Sequence, residues 1–95
     1  MAEITIDADG CVQVTGDIVF STVTGLLRSA EASLADSKRV IFDLAGVTHS
    51  DSSALALLLE LLDRANAGGV AVTFRNIPDS LLGIARLSNV EHLLR

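Results

Sequence analysis

The sequence predicts an α/β domain built in the order β-β-α-β-α-β-α, and three observations support that reading. Short runs alternating apolar and polar residues open the chain, two continuous apolar runs follow further on, and stretches rich in leucine and alanine at helical spacing lie between and after them. With 95 residues and 49% hydrophobic side chains the chain has material for one core and too little for two, so residues 1–95 are read as a single domain. Area scaling leaves roughly 5,200 Å² exposed of about 14,400 Å² in the extended chain, an adequate but slender core. Fifteen leucines against three aromatic residues, Phe20, Phe42 and Phe74, pose the question of what covers so much aliphatic surface.

Each element has its own signal. Residues 3–7 alternate with period two, Ala8-Asp9-Gly10 supplies a turn, and Cys11 to Thr15 alternates again, which makes an opening hairpin. A helix is expected from Ser21 or Thr22, with Val23, Leu26, Leu27, Ala30 and Leu34 on one face. Residues 39–44 form a continuous apolar run bounded by charge, as a buried strand does, and residues 45–50 are expected to be a loop. A second helix spans Ser52 to Ala67 and ends at Gly68-Gly69. Residues 70–74 read as another buried strand, and Pro78 opens a third helix with Asp79 in its first turn. Residues 90–95 are expected to form a short final helix. The crossovers after the hairpin are long enough for parallel pairing.

Composition excludes several classes. A net charge of −5 with no basic cluster beyond Lys38-Arg39 disfavours nucleic acid and anionic lipid headgroups. No basic segment followed by an apolar run opens the chain, and no stretch has the roughly 20 apolar residues of a membrane span. Direct membrane insertion is therefore not expected, and the chain is read as cytoplasmic. Cys11 has no second cysteine to pair with and is expected to be a buried thiol. Neither histidine has a Cys or His partner at metal-ligand spacing, so no metal site is expected.

The polar segment with chemical content is Val47-Thr48-His49-Ser50-Asp51-Ser52-Ser53-Ala54, between a buried strand and the leucine-rich second helix. Polar residues at the carboxyl ends of strands are where open α/β sheets place their sites. Asp51, Ser52 or Ser53 can cap the helix by accepting hydrogen bonds from its free N–H groups, contributing about 0.5–2 kcal/mol. The same hydroxyl can be regulatory. A phosphate on Ser52 would meet the positive end of the helix, Asp51 would oppose it, and the added charge would repel an acidic or apolar partner. His49, Asp51 and Ser52 are the ingredients of a hydrolase, but neighbours on one extended segment do not chain acid to base to nucleophile, and no G-x-S-x-G elbow occurs. Phosphate-loop and dinucleotide motifs are also missing from the sequence, so catalysis and cofactors are not expected.

A helical wheel adds a second feature. With Leu55 at zero and about 100° per residue, Leu55, Leu58, Leu59, Leu62 and Ala65 make a core-facing arc, whereas Leu57 and Leu61 fall near 200° and 240°. Those two leucines need cover, from a neighbouring helix or from a partner protein. Ala56, close to Glu60 on the wheel, allows a partner to approach closely.

Val40-Ile41-Phe42-Asp43-Leu44, then Val47 and Asp51-Ser52-Ser53-Ala54-Leu55, resembles the signature of STAS domains, the family of anti-sigma-factor antagonists and transporter-associated modules. The element order agrees over essentially the whole chain. The resemblance implies a STAS-like (anti-sigma-factor-antagonist-like) mixed sheet of four or five strands, helices mainly on one face, and a function of binding other proteins. Asp51-Ser52 fall where antagonists carry Asp followed by a phosphorylatable Ser. Ala54 stands where many members have Gly, and Gly16-Asp17-Ile18-Val19 where many read Gly-Glu-Leu-Asp.

Within the family, residues 54–65 and 84–90 are most similar to the STAS subunits of Mla-type phospholipid-transport ABC complexes. That likeness implies a non-enzymatic cytoplasmic subunit, peripheral to the inner membrane through its partners. It would bind and support the transporter's ATPase, alongside a permease and an MCE substrate-binding protein, in moving phospholipid between bacterial membranes and keeping the outer membrane asymmetric. The expected binding edge comprises His49, Ser50, Asp51, Ser52 and Ser53, with Ala56, Leu57 and Glu60 on the second helix. The alternative is an anti-sigma-factor antagonist whose partner is an anti-sigma factor kinase that phosphorylates Ser52.

Overall fold

The computed structural model describes residues 2–7, 10–35 and 37–95. Its elements are β1 (Glu3–Ile6), β2 (Val12–Ile18), α1 (Val23–Ala32), β3 (Arg39–Ser50), α2 (Ser52–Ala67), β4 (Ala71–Arg75), α3 (Asp79–Leu87) and α4 (Glu91–Leu94). The four strands form one sheet in the order β1-β2-β3-β4. β1 and β2 are an antiparallel hairpin with Ile4 opposite Val14. Of its expected turn, Ala8 and Asp9 lie outside the described residues. β3 runs parallel to both neighbours, with Val12 opposite Phe42 on one side and Phe42 opposite Phe74 on the other.

Strand periodicity decides which side of the sheet is covered. Val12, Val14, Ile18, Val40, Phe42, Leu44 and Phe74 are buried, and they join Leu26, Ala30, Leu58, Leu61, Leu81 and Ala85 of the helices in one core. Phe42 and Phe74 meet at the centre with ring centroids 6.0 Å apart and planes tilted by 31°. Alternate positions such as Gln13, Ile41, Asp43, Thr73 and Arg75 face the other side, which the helices leave open to water. On that open side Asp43 is the one buried polar side chain among the described residues, at 7% exposure. Its carboxylate accepts from the Ala45 N–H (2.9 Å), Asn76 Nδ2 (3.0 Å) and the Arg75 guanidinium (3.2 Å). Cys11 is buried as expected, and its sulfur accepts from the Arg75 guanidinium at 3.4 Å.

Two expectations are corrected. Residues 45–50, expected as a loop, continue β3, where Gly46, Val47, His49 and Ser50 pair with Thr15, Gly16, Asp17 and Ile18. Their polar composition disguised a strand, because pairing with β2 overrides weak local propensity. The close approach relies on Gly46, where a Cβ would lie 2.6 Å from Thr15 Cγ2, and on Gly16, which sits at a shift in register with φ +88°.

The second correction concerns α2. Leu57 and Leu61, which require cover from a neighbouring helix or from a partner, are 4% and 2% exposed within the chain itself, so the neighbouring elements cover them and Leu57, expected on the binding edge, is not at the surface. α2 touches α1, α3, α4 and β4, so its apolar arc is wider than the stripe of a helix that meets one neighbour. The buried set is Ala54, Leu55, Leu57, Leu58, Leu61 and Ala65, while Leu59 and Leu62 are only half-buried flanks. No helix among the described residues is long and apolar enough to cross a membrane.

Candidate functional site

β3 outruns β4, whose last pairing is Asp43 with Arg75, and beyond it β3 pairs with β2 alone, carrying Thr48, His49 and Ser50 directly into α2. Asp51 has extended backbone (φ −122°, ψ −168°) and caps α2, accepting the Ser53 N–H at 2.7 Å. Its second oxygen accepts the Phe20 N–H at 3.2 Å, which ties the β2–α1 turn to the helix start. Partial burial works against the Asp51 carboxylate, but the Ser53 and Phe20 N–H groups outweigh it and hold its pKa below the ordinary value.

Beside this cap stands Asp17, at the end of β2. One of its oxygens accepts the Thr48 hydroxyl at 2.7 Å and lies 3.0 Å from His49 Nδ1. The Thr48 hydroxyl first, then His49, lowers the Asp17 pKa. His49 is therefore engaged by Asp17, and the Asp51 carboxylate by backbone N–H groups. The consecutive His49, Asp51 and Ser52 thus do not form the acid–base–nucleophile chain of a hydrolase.

Ser52 is exposed as the first residue of α2, Ser53 is half-buried, and Ser50 is half-buried with its hydroxyl 3.4 Å from that of Ser80 at the start of α3. Ala56 is exposed on the outer side of α2, in line with Ser52, Glu60, Asp63 and Ala67 at helical spacing. Glu60 is half-buried and held by Arg64 at 2.9 Å, and Arg64 also reaches Glu31 on α1. Leu57 alone of the predicted set lies inside. Among the described residues no group of three or more His, Cys, Asp or Glu is placed to hold a metal ion.

The sequence reading left Asp17 and Phe20 without a role. Phe20 is 83% exposed, which forgoes about 1.5–3 kcal/mol of burial. Its signal was present as a lone aromatic between Gly16-Asp17 and α1, in a segment too short to be a core strand. Asp17 was legible only as a turn residue, since nothing local reveals that β2 extends to Ile18 beside His49.

Residues 2–95 match the STAS domain family, and the chain belongs to it. A STAS-domain-containing protein of Pseudomonas aeruginosa (strain UCBPP-PA14) is 30% identical over 91 residues, covering 93% of this chain and 90% of its own length. In fold the chain is similar to the anti-sigma factor antagonist SpoIIAA in its unphosphorylated form, with a TM-score of 0.72 at 12% identity over 97% of this chain and 84% of that one. It is also similar to a chain of the complex between the diguanylate cyclase SiaD and its activator SiaC from Pseudomonas aeruginosa. There the TM-score is 0.56 at 20% identity, covering 92% of this chain and 81% of that one.

Proposed function

We propose that this STAS domain is a non-enzymatic module that binds another protein through the end of its sheet, and that Ser52 is the hydroxyl a partner kinase phosphorylates. The observation that carries the reading is the placement of Ser52. It is exposed at the first position of α2, directly after a carboxylate whose oxygens are occupied by backbone N–H groups. A phosphate there adds about −1.5 to −2 charge, which α2's free N–H groups favour and Asp51 opposes. A docked partner would have to strip water from that dianion, so phosphorylation releases the partner. This is the behaviour of an anti-sigma-factor antagonist, whose partner is an anti-sigma factor kinase and whose reset requires a phosphatase.

The transporter reading ranks second. It rests on the likeness of residues 54–65 and 84–90 to MlaB, the STAS subunit of the Mla phospholipid-transport complex, and on exposed Ala56, which admits a partner helix. In that reading the partner is the ATPase, within a complex that also holds a permease and an MCE protein, and the chain sits at the inner membrane through them. The burial of Leu57 and Leu61 weakens it, because core packing accounts for much of the leucine run on which the likeness depends.

Intact-mass measurement after incubation with ATP and each anti-sigma-type kinase of the same genome tests the first reading. The expected result is one phosphate, lost in Ser52→Ala. No phosphate with any kinase, or phosphate retained in Ser52→Ala, overturns it. Copurification of an ABC ATPase with its permease from native membranes supports the transporter reading instead.

A further inference from the structure

We infer that Phe20 is the anchor of the docking surface, and that the occupant is an apolar pocket on a partner protein whose rim is rich in arginine and lysine. The inference rests on the reading that the Ser52 edge binds a partner, and it adds which residue carries the affinity and what chemistry the partner presents. Phe20 is the most exposed aromatic of the three, at 83%, while Phe42 and Phe74 are buried. Its backbone is held by its surroundings. The Phe20 N–H donates to Asp51, the Val19 N–H donates to Thr22 Oγ1 at 3.0 Å, and the Thr22 hydroxyl donates to the Asp17 carbonyl at 2.8 Å. The Thr22 and Val23 N–H groups both donate to the Val19 carbonyl, at 2.9 and 3.0 Å. An aromatic ring presented on a turn already tied down at both ends loses little freedom on docking, and such residues dominate interface energies.

Charge complementarity identifies the occupant. The three segments that converge here, residues 16–22, 47–53 and 77–80, contain Asp17, Asp51 and Asp79 and no lysine or arginine. Arg64, at the far end of the exposed α2 face, is paired with Glu60 on that face and with Glu31 on α1, and Arg75 is paired with Asp43 on the open side of the sheet. Acidic side chains beside an exposed ring, with Asp51 bonded to the Phe20 N–H and Asp17 in the same segment, fit an apolar pocket with a basic rim, and the chain's net charge of −5 disfavours a second copy.

Aromatic NMR tests the inference directly, since the chain has three phenylalanines and no tyrosine or tryptophan. The probe is the purified kinase that phosphorylates Ser52 or, where none does, the purified ATPase subunit. The expected result is that the Phe20 ring signals shift or broaden on addition of the probe while those of Phe42 and Phe74 do not. Phe20→Ala should weaken binding by about tenfold or more, with Phe20→Leu in between. Association should slow severalfold as salt rises from about 0.05 to 0.3 M, and less steeply in Asp17→Asn. Binding within twofold of wild type in Phe20→Ala, or association indifferent to salt, overturns the inference and leaves the Ser52 reading standing. A probe that needs Phe20 but never phosphorylates Ser52 reverses that outcome. Phe20 signals that move with protein concentration alone assign the ring to self-association, and no binding by either probe removes both readings. Because the ring is in water, the variants keep the fold, which the unchanged Phe42 and Phe74 signals verify.

Discussion

The Asp51 carboxylate spans two elements by accepting the Phe20 N–H from the β2–α1 turn at 3.2 Å while it caps its own helix through the Ser53 N–H at 2.7 Å. One side chain thus sets both the start of α2 and the position of the exposed ring. Removing it should disturb stability and the docking surface together. Asp51→Ala is expected to cost about 0.5–2 kcal/mol through the lost cap. For a domain of this size each kcal/mol lowers Tm by about 4–8 °C. Amide exchange at Phe20 and Ser53 should speed up in the variant more than exchange at core amides such as Phe42. Uniform acceleration at all three would mean that Asp51 acts only through global stability.

Burial separates two adjacent residues of α2 that the sequence reading had grouped. Leu57 belongs to the core and Ala56 faces out, so their substitutions should act on different properties. Leu57→Ala is expected to cost about 2–5 kcal/mol, and Leu61→Ala a similar amount, with any loss of binding tracking the unfolded fraction. Ala56→Arg should leave stability within about 0.5 kcal/mol and still impair partner binding by placing a long side chain beside Ser52. Thermal unfolding and binding measured on the same samples distinguish the two. A stable Leu57→Ala variant that fails to bind would return that leucine to the interface.

Elements with a strong internal period were legible from the chain alone. Helix α2 was placed at Ser52–Ala67 because a capping cluster and Gly68-Gly69 bracket its leucines, and α3 by Pro78 and Asp79. What escaped depends on neighbours. Residues 45–50 are strand only because β2 lies alongside, and Gly46 shows its purpose only once Thr15 is opposite. The wheel placed Leu59 and Leu62 in the core and Leu57 and Leu61 outside, because it assumed a helix covered from one side. Contact with α1 and α3 turns the buried arc toward Leu57 and Leu61 instead. At the site, Asp51 and Ser52 were readable from local capping chemistry. The pairing of Asp17 with His49 and the tether on Phe20 each join residues about thirty positions apart, which no local pattern encodes.

Asp43 makes the open face of the sheet sensitive to acid. The Ala45 N–H and Asn76 amide hold its carboxyl below the ordinary 3.8, burial opposes them, and Arg75 adds a further lowering. A carboxylate whose folded pKa is depressed contributes stability that is fully present above its unfolded value. That contribution is lost as pH falls through the folded value. Asp43→Asn replaces an acceptor of three hydrogen bonds with a group that must turn an N–H₂ toward donors, and should cost about 1–3 kcal/mol at neutral pH. The difference in unfolding free energy between wild type and Asp43→Asn is expected to be constant above about pH 5 and to shrink below about pH 4. Because Asp17 and Asp51 are common to both proteins, their own acid titration cancels in that difference. Urea unfolding at a series of pH values measures it, and a difference that stays flat down to pH 2 would show that Asp43 stabilises the sheet by shape and not by charge.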